Sequence, residues 1–345
     1  MKKEALQTII DSAVDGKKVF GCNFAIKYKN EVWHGSAGNI SLNDSYFIAS
    51  TTKLFTTALI LQLRNKNLIH LDTPIHNYLD PSFIRRLHVL NNIDYTNTIT
   101  VKHLLSHTSG LPDYFQDKSS NGISLENQLK QQQDRSWSLE EILEINQKMQ
   151  PLFIPGKTGK AHYSDTNFQL LGQIIEKITG KSYKENCKEN IFDPLQLSQT
   201  YLYENVNDQK PVKMYYKNSV LDIPLAMTSF KSDGGLVSAT LDLIRFIEAF
   251  FKGELFPLAY IEDLKVWNKI FFPMQSGMGI HRFKLPWFFD PTGAVPELIG
   301  HSGLSGTLAY YSPKHDLFIV GTVNQIAYPD KSFKTAIKLI RKAIQ

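Results

Sequence analysis

The segment 47–54 reads Phe-Ile-Ala-Ser-Thr-Thr-Lys-Leu and lies at the predicted start of an apolar helix that runs from Ser50 to about Leu63. Ser50 and Lys53 are three residues apart, so both side chains face the same side of that helix and the lysine can reach the serine hydroxyl. A serine hydroxyl is a weak nucleophile without an adjacent base, and a partly desolvated lysine can be that base. The helix N-terminus also directs free backbone N–H groups toward Ser50, where an oxyanion would form.

Length and composition describe an ordinary globular protein. With 345 residues the chain can bury a large core, as one domain or as two closely packed lobes. Its 42% apolar and 21% charged residues argue against disorder and against a coiled coil. The net charge of +5 is small and the basic residues are scattered, which argues against a nucleic-acid partner. No apolar run reaches the roughly 18 residues of a membrane span.

The start of the chain and its two cysteines bear on cellular location and on disulfide formation. The first residues lead directly into a polar amphipathic segment instead of the apolar core of a signal peptide. We therefore expect either a cytoplasmic protein or an exported one whose signal has been removed. Cys22 and Cys187 are too few for a disulfide framework, and we expect both to be buried thiols.

Hydrophobic periodicity predicts strands near both ends of the chain and helices in the middle. Strands are predicted over 22–28, 32–36, 278–284, 307–312 and 317–323. Helices are predicted over 4–14, 50–63, 100–105, 139–148, 166–180, 240–251 and 331–344. The polar segment 116–135 is the candidate for a mobile loop or lid.

This order of elements predicts an α+β fold. A central antiparallel sheet is built from both chain ends and flanked by helices, and a mainly helical lobe is inserted after the second strand. We expect a single two-lobed unit over 1–345. Its sheet lobe comprises about 1–47 and 231–345, and its helical lobe about 48–230.

Three motifs occur in a familiar order, namely Ser50 to Lys53, Tyr163-Ser164-Asp165 and His301-Ser302-Gly303, with support from the segments 99–114, 193–195 and 234–238. Together they resemble the serine β-lactamase and penicillin-binding-protein superfamily. The similarity is to the branch of class C β-lactamase-like proteins, D-alanyl-D-alanine carboxypeptidases and esterases. It covers about 24–325 and implies a β-lactamase/transpeptidase-like fold.

The resemblance implies a serine hydrolase that forms an acyl-enzyme from a peptide, amide, ester or β-lactam carbonyl, most simply as a D-alanyl-D-alanine carboxypeptidase or β-lactamase-like enzyme. Ser50 is the expected nucleophile, with Lys53 and Tyr163 as the acid–base pair. Tyr163 can act as a base only if nearby positive charge, from Lys53 or His301, stabilises its anion. The oxyanion is expected between the backbone N–H groups of Ser50 and Leu304. No cofactor is required, and the expected partner is a small-molecule or peptide substrate.

Asp165, His301, Gly303 and Tyr114 are the remaining expected substrate contacts, and three of them depart from the family pattern. Asp165 replaces the usual asparagine, cannot donate a hydrogen bond when ionised, and favours protonated Lys53. We hypothesise that it weakens binding of β-lactam side chains and could accept a substrate amine. Neutral His301 replaces a lysine; it could still hydrogen-bond a substrate carboxylate, but it is charged only below about pH 6.5. Tyr114 stands near a glutamine of class C β-lactamases.

These departures favour a peptidase, amidase or esterase over an efficient β-lactamase. One alternative is an esterase or a D-amino-acid amidase or aminopeptidase on the same fold. Another is a non-catalytic relative that binds peptides, although intact Ser50, Lys53 and Tyr163 argue against it. His103 and His107 are four residues apart, but the sequence between them lacks the glutamate of a zinc motif, so no metal is expected. Oligomeric state is not determined by the sequence.

Overall fold

The computed structural model describes residues 1–119, 122–288, 290, 293 and 295–345. The strands are β1 Gly21–Tyr28, β2 Glu31–Gly38, β3 Ser45–Phe47, β4 Val89–Leu90, β5 Ile93–Asp94, β6 Tyr201–Leu202, β7 Met214–Tyr216, β8 Ser219–Leu221, β9 Leu236–Ala239, β10 Asn268–Phe271, β11 Met274–Ser276, β12 His281–Phe283, β13 Leu298–Ser302, β14 Thr307–Ser312 and β15 Leu317–Thr322. The helices are α1 Lys3–Asp11, α2 Thr52–Asn65, α3 Val101–Leu105, α4 Leu125–Lys130, α5 Leu139–Gln147, α6 Asp165–Thr179, α7 Tyr183–Cys187, α8 Asp193–Leu195, α9 Pro224–Ser229, α10 Thr240–Lys252, α11 Tyr260–Leu264 and α12 Asp330–Ile344.

The central sheet joins the two ends of the chain. Its strand order is β10-β11-β12-β13-β14-β15-β1-β2, and each neighbouring pair is antiparallel. The register places Phe24 of β1 opposite Gly321 of β15 and Gly35 of β2. The prediction of an α+β fold with one antiparallel sheet from both ends is therefore confirmed.

Helices cover both faces of this sheet because its strands are apolar on both sides. Phe24 and Ile26 of β1 belong to a core cluster shared with α1 and α12, whereas Ala25 between them belongs to the cluster that includes α2, α6 and α10. This is the alternation expected of a strand buried on both faces. Among the described residues, none of the helices has both the length and the apolar character to cross a bilayer.

A second, three-stranded sheet, β3-β9-β6, holds the start of the serine segment. β3 pairs with β9, with Phe47 opposite Val237, and the N–H of Ile48 donates to the carbonyl of Leu236 at 3.0 Å. A 3-10 turn, Ala49–Thr51, then leads into α2. The predicted helix thus begins two residues later than expected, and Ser50 lies in the tight turn before it.

Two expectations need correction. The predicted loop or lid 116–135 contains α4, whose N-cap Ser124 accepts from the N–H of Asn127 and which buries Leu125 and Leu129; Ser120 and Asn121 of this segment lie outside the described residues. The sequence also predicted no bounds for β10, β11 and β13. These strands are short, and their pairing partners rather than their own periodicity specify them.

Cys22 and Cys187 are buried free thiols, as predicted. They belong to different core clusters. Burial raises the pKa of each thiol to about 12, so neither is a reactive thiolate.

Candidate active site

Ser50 lies in a strained turn that packing holds in place. Its neighbour Ala49 has φ +45°, a left-handed conformation that costs a residue with a Cβ roughly 1–3 kcal/mol. Gly303, after β13, packs directly against this turn, since a Cβ there would lie 2.3 Å from the carbonyl oxygen of Ile48. Ser305 adds a hydrogen bond from its hydroxyl to the carbonyl of Phe47 at 2.7 Å. The chain after β13 therefore fixes the turn that presents Ser50.

Lys53 is fully buried beneath Ser50 and has three acceptors for its three N–H groups. Its Nζ donates to Ser50 Oγ at 3.2 Å, to Asp165 Oδ1 at 2.5 Å and to the carbonyl oxygen of Asp233 at 2.6 Å. An ammonium group has three donors, so this environment is complete for the protonated form. Lys53 is therefore an ammonium ion paired with Asp165 in the resting site.

Tyr163 approaches Ser50 from the other side. Its hydroxyl donates to Ser50 Oγ at 2.8 Å, and its ring stacks on His107 at 4.6 Å between centroids. Burial, and then the negative charge of Asp165, raise the pKa of Tyr163 well above its ordinary value of 10. Neither Lys53 nor His301 offers Tyr163 a free positive charge in the resting site. Lys53 is paired with Asp165, and burial keeps His301 neutral. Tyr163 is a phenol in the resting site.

A layer of buried acidic groups lies behind Lys53. Asp233 accepts from the hydroxyl of Tyr114 at 2.7 Å and from Gln169 Nε2 at 2.9 Å. Burial, followed by the charge of Asp165, raises the pKa of Asp233 to about 6. The same two causes raise the pKa of Asp113, whose Oδ1 accepts from the N–H of Asp165 at 3.3 Å, well above its ordinary value.

Tyr114 belongs to this layer and not to the substrate surface. It is 1% exposed, and its hydroxyl is committed to Asp233. The expectation that it contacts substrate therefore needs correction. The direction of its side chain could not be predicted from the sequence. The conformation of the preceding loop, in which Gly110 has φ +76°, decides which way the ring points.

His301 lies at the end of β13 with only 1% of its surface exposed. Its Nδ1 lies 2.8 Å from the carbonyl oxygen of Ser302; a carbonyl only accepts, so Nδ1 carries the proton. Burial, and then the neighbouring His281 and Lys53, lower the pKa of His301 well below 6.5, so the ring is neutral and Nε2 has a lone pair. The expectation that neutral His301 donates to a substrate carboxylate does not fit this tautomer.

His281 is a site residue that the sequence analysis missed. It lies on β12 opposite Gly300, is 2% exposed, and stacks on His301 with 3.9 Å between ring centroids. Burial, with a contribution from Lys53, lowers its pKa to about 3. A single histidine in a short strand gives no signal in the sequence; only the pairing of β12 with β13 brings it to Ser50.

The expected oxyanion donors lie on two adjoining segments, the turn of Ser50 and the chain after β13 that packs against it. Gly303 donates its N–H to Thr307 at 2.8 Å, which leaves the N–H of Leu304 as the next one along the chain. Within the described part of the chain, neither Leu304 nor Ser50 donates its N–H to a backbone acceptor. Both N–H groups are therefore free of a backbone acceptor, as donors to an oxyanion must be.

Two cavities meet at Ser50, and Leu304 borders both. We call the first the aliphatic cavity. Its lining includes Leu129, Met214, Leu221, Ile223 and Met227, together with Asp165 and Asp233. We call the second, larger one the histidine cavity. Its lining includes Tyr163, His281, His301, Phe271 and Phe283.

The two histidines considered as metal ligands have other partners. His103 Nδ1 accepts from the N–H of Thr100 and completes the capping box of α3. His107 Nδ1 accepts from the N–H of Ser164 at 3.1 Å and so holds the Tyr163 segment in place.

Known proteins resemble this chain both in sequence and in fold. The family model described as Beta-lactamase matches residues 6–345. A penicillin-binding protein of Bacillus subtilis (strain 168) is 25% identical over 331 residues, which cover 88% of this chain and 66% of the relative. The teichoic acid D-alanine hydrolase of Staphylococcus aureus is 29% identical over 222 residues, which cover 62% of this chain and 48% of the relative. The chain thus spans about two thirds of the first relative's length and about half of the second's.

Among solved structures, a D-stereospecific amidohydrolase from Streptomyces sp. has a TM-score of 0.79 and 26% sequence identity. The match covers 97% of this chain and 98% of the amidohydrolase. The two chains therefore share their whole architecture.

Proposed function

The chain belongs to the Beta-lactamase family, and from that premise we propose that it is a serine hydrolase that forms an acyl-enzyme at Ser50. The observation that carries the proposal is the position of Ser50 Oγ, 3.2 Å from Lys53 Nζ and 2.8 Å from the hydroxyl of Tyr163, where two cavities meet. The substrate offers an amide, ester, peptide or β-lactam carbonyl. The division into a sheet lobe of about 1–47 and 231–345 and a helical lobe of about 48–230 is part of the proposal, and it places Ser50 at the start of the helical lobe.

Activation of Ser50 begins with the buried ion pair. Lys53 passes a proton to Asp165 across their 2.5 Å hydrogen bond, which converts two buried charges into a neutral amine and a carboxylic acid. Burial lowers the free-energy cost of this transfer, because it removes two charges from a low-dielectric environment. The amine then accepts the proton of Ser50 as its oxygen attacks the carbonyl carbon, and the N–H groups of Ser50 and Leu304 stabilise the oxyanion.

Tyr163 protonates the leaving group. Its hydroxyl lies beside Ser50 Oγ and borders the histidine cavity. Once Asp165 is protonated and Lys53 is an unpaired cation, the phenolate left behind is stabilised by the lysine charge. That phenolate then takes a proton from the water that attacks the acyl-enzyme. Ser50 recovers its proton from Lys53, and Lys53 recovers its own from Asp165, so the resting state is restored.

The direct test is intact-protein mass spectrometry with an uncharged acylating probe, p-nitrophenyl acetate, on wild type and on Ser50→Ala. We expect an acetyl adduct and turnover in wild type and neither in Ser50→Ala, with a loss of roughly 10⁴-fold or more in rate. Ser302→Ala is the matched control, because Ser302 lines the histidine cavity beside Ser50. It should keep the adduct.

An adduct that persists in Ser50→Ala would contradict the proposed nucleophile. No hydrolysis of any ester or amide by wild type, with retained peptide binding, would instead support the non-catalytic relative.

A further inference from the structure

The histidine cavity has no free positive charge among its described lining residues. Of the described residues, the only charged ones in its lining are Asp330 and Lys334, which are exposed and pair with each other at 2.7 Å. Lys53, beneath Ser50, is already paired with Asp165. A carboxylate that entered this cavity would therefore lose its hydration without gaining a cation.

His301 offers the cavity an acceptor. Because its Nδ1 proton is committed to the carbonyl of Ser302, the lone pair of Nε2 is the group left for a ligand, and Nε2 has no partner among the described residues. A lone pair attracts an N–H or O–H donor and repels a carboxylate oxygen. The backbone of β13 thus decides which kind of ligand His301 can hold.

His281 also brings unpartnered hydrogen-bonding groups to the histidine cavity. Neither of its ring nitrogens has a hydrogen-bond partner within the described residues, although the side chain is 98% buried and lines the cavity. Leaving a buried polar group unsatisfied costs free energy, so such a group is expected to pair with something that enters the site. A neutral imidazole has one donor and one acceptor on diverging sides of the ring, so either the carbonyl or the N–H of an amide can pair with it.

From these groups we propose that the histidine cavity binds an uncharged leaving group through hydrogen bonds to His281 and His301. Such a leaving group is an alcohol, or an amine that carries a terminal primary amide. A leaving group that carries a terminal carboxylate is rejected. The proposal rests on the proposed serine hydrolase function and narrows its substrates to amides and esters without a free carboxylate beside the scissile bond. His281 is then a specificity-determining residue of this chain.

The test compares two ligands that differ only at one end, N-acetyl-D-alanyl-D-alanine and its C-terminal primary amide. Binding of each is measured by calorimetry on Ser50→Ala, so that no turnover is needed, and hydrolysis of each is measured on wild type. We expect the amide to bind at least about tenfold more tightly, because the site leaves a carboxylate unpaired. The same order is expected for kcat/KM.

Two variants distinguish the contribution of the His281 ring nitrogens to binding from the contribution of cavity shape. His281→Phe keeps a ring to stack on His301 and should weaken binding of the amide by about tenfold while hardly changing the acid. Phe283→Leu, two residues along β12 and also on the cavity wall, is the control that changes shape without removing a nitrogen. It should affect both ligands alike.

Equal affinities, tighter binding of the acid, or no binding of either ligand would overturn the assignment of this cavity. Preferential binding of the amide without hydrolysis of any substrate would support the assignment and overturn only the proposed hydrolase function. Equal losses for both ligands in His281→Phe would remove His281 from the proposal.

Discussion

The two cavities at Ser50 differ in where their charge lies. The aliphatic cavity combines apolar walls with the buried acidic groups Asp165 and Asp233, whereas the buried lining of the histidine cavity includes neutral imidazoles and aromatic rings. Each cavity also has one pair of opposite charges, Glu126 with Lys130 in the first and Asp330 with Lys334 in the second. Apolar walls select by shape and buried area, and neutral hydrogen-bonding groups select by donor and acceptor pattern. Because the histidine cavity is proposed for the leaving group, we expect the aliphatic cavity to receive the acyl group. The proton chemistry lies between them, on Lys53 and Tyr163.

The largest expected effect tests whether Tyr163, which borders the histidine cavity, protonates the leaving group. Tyr163→Phe removes the hydroxyl that donates to Ser50 but keeps the ring that stacks on His107. We expect kcat/KM for amides, which reports the acylation step, to fall by about 10²–10⁴-fold, the usual contribution of a general acid or base. Activated p-nitrophenyl esters should lose less, because their leaving group needs no proton.

The control for this variant is Tyr183→Phe, whose hydroxyl hydrogen-bonds with Thr56 in the core at 2.8 Å. It makes the same chemical change away from Ser50 and should leave kcat/KM nearly unchanged. Equal losses for amides and activated esters in Tyr163→Phe would contradict its role as leaving-group acid.

The next effect concerns the raised pKa of Asp233, an acidic group in the lining of the aliphatic cavity. The folded-state pKa of Asp233, about 6, lies above its ordinary value of 3.8, so the folded protein binds this proton more tightly than the unfolded chain does. Wild type therefore loses stability as pH rises from about 4 to about 6, by about 3 kcal/mol at 1.36 kcal/mol per pKa unit. Asp233→Asn removes this titration and keeps an amide that can bond Tyr114 and Gln169.

The measurement is urea unfolding of both proteins at pH 4.5 and pH 7. The free energy of unfolding of Asp233→Asn minus that of wild type should increase with pH. A difference that is constant over this range would show that Asp233 does not titrate with a raised pKa.

The smallest effect concerns the shape of the aliphatic cavity. Met227 lines it from α9, so Met227→Phe should fill part of it. We expect kcat/KM for an octanoyl p-nitrophenyl ester to fall by about tenfold relative to the acetyl ester. Leu225→Phe is the control on the same helix, because Leu225 is 42% exposed and does not line the cavity.

A shift that is the same for both esters, or that also occurs in Leu225→Phe, would contradict the assignment of the acyl group to the aliphatic cavity.

The catalytic candidates could be predicted because they are carried by local spacing and by motifs. Ser50 and Lys53 lie one turn apart, and the Tyr163 and His301 segments were found by their resemblance to a family. The roles assigned to neighbouring residues were less successful. Tyr114 points into the acidic layer, and His281 was not singled out, because both positions depend on loop conformation and strand pairing far along the chain.

By itself the sequence determined the α+β class, the antiparallel sheet shared by both chain ends, and the serine, lysine and tyrosine that the proposal uses. Only the tertiary structure decided the protonation states of the residues in the site. Burial makes His281 and His301 neutral, the carbonyl of Ser302 selects the tautomer of His301, and Asp165 neutralises Lys53. The physical reason is that a pKa or a tautomer depends on desolvation and on hydrogen-bond geometry, which only folding supplies. Folding brings Lys53 to Asp165, 112 residues away, and orients the His301 ring toward the carbonyl of its neighbour Ser302.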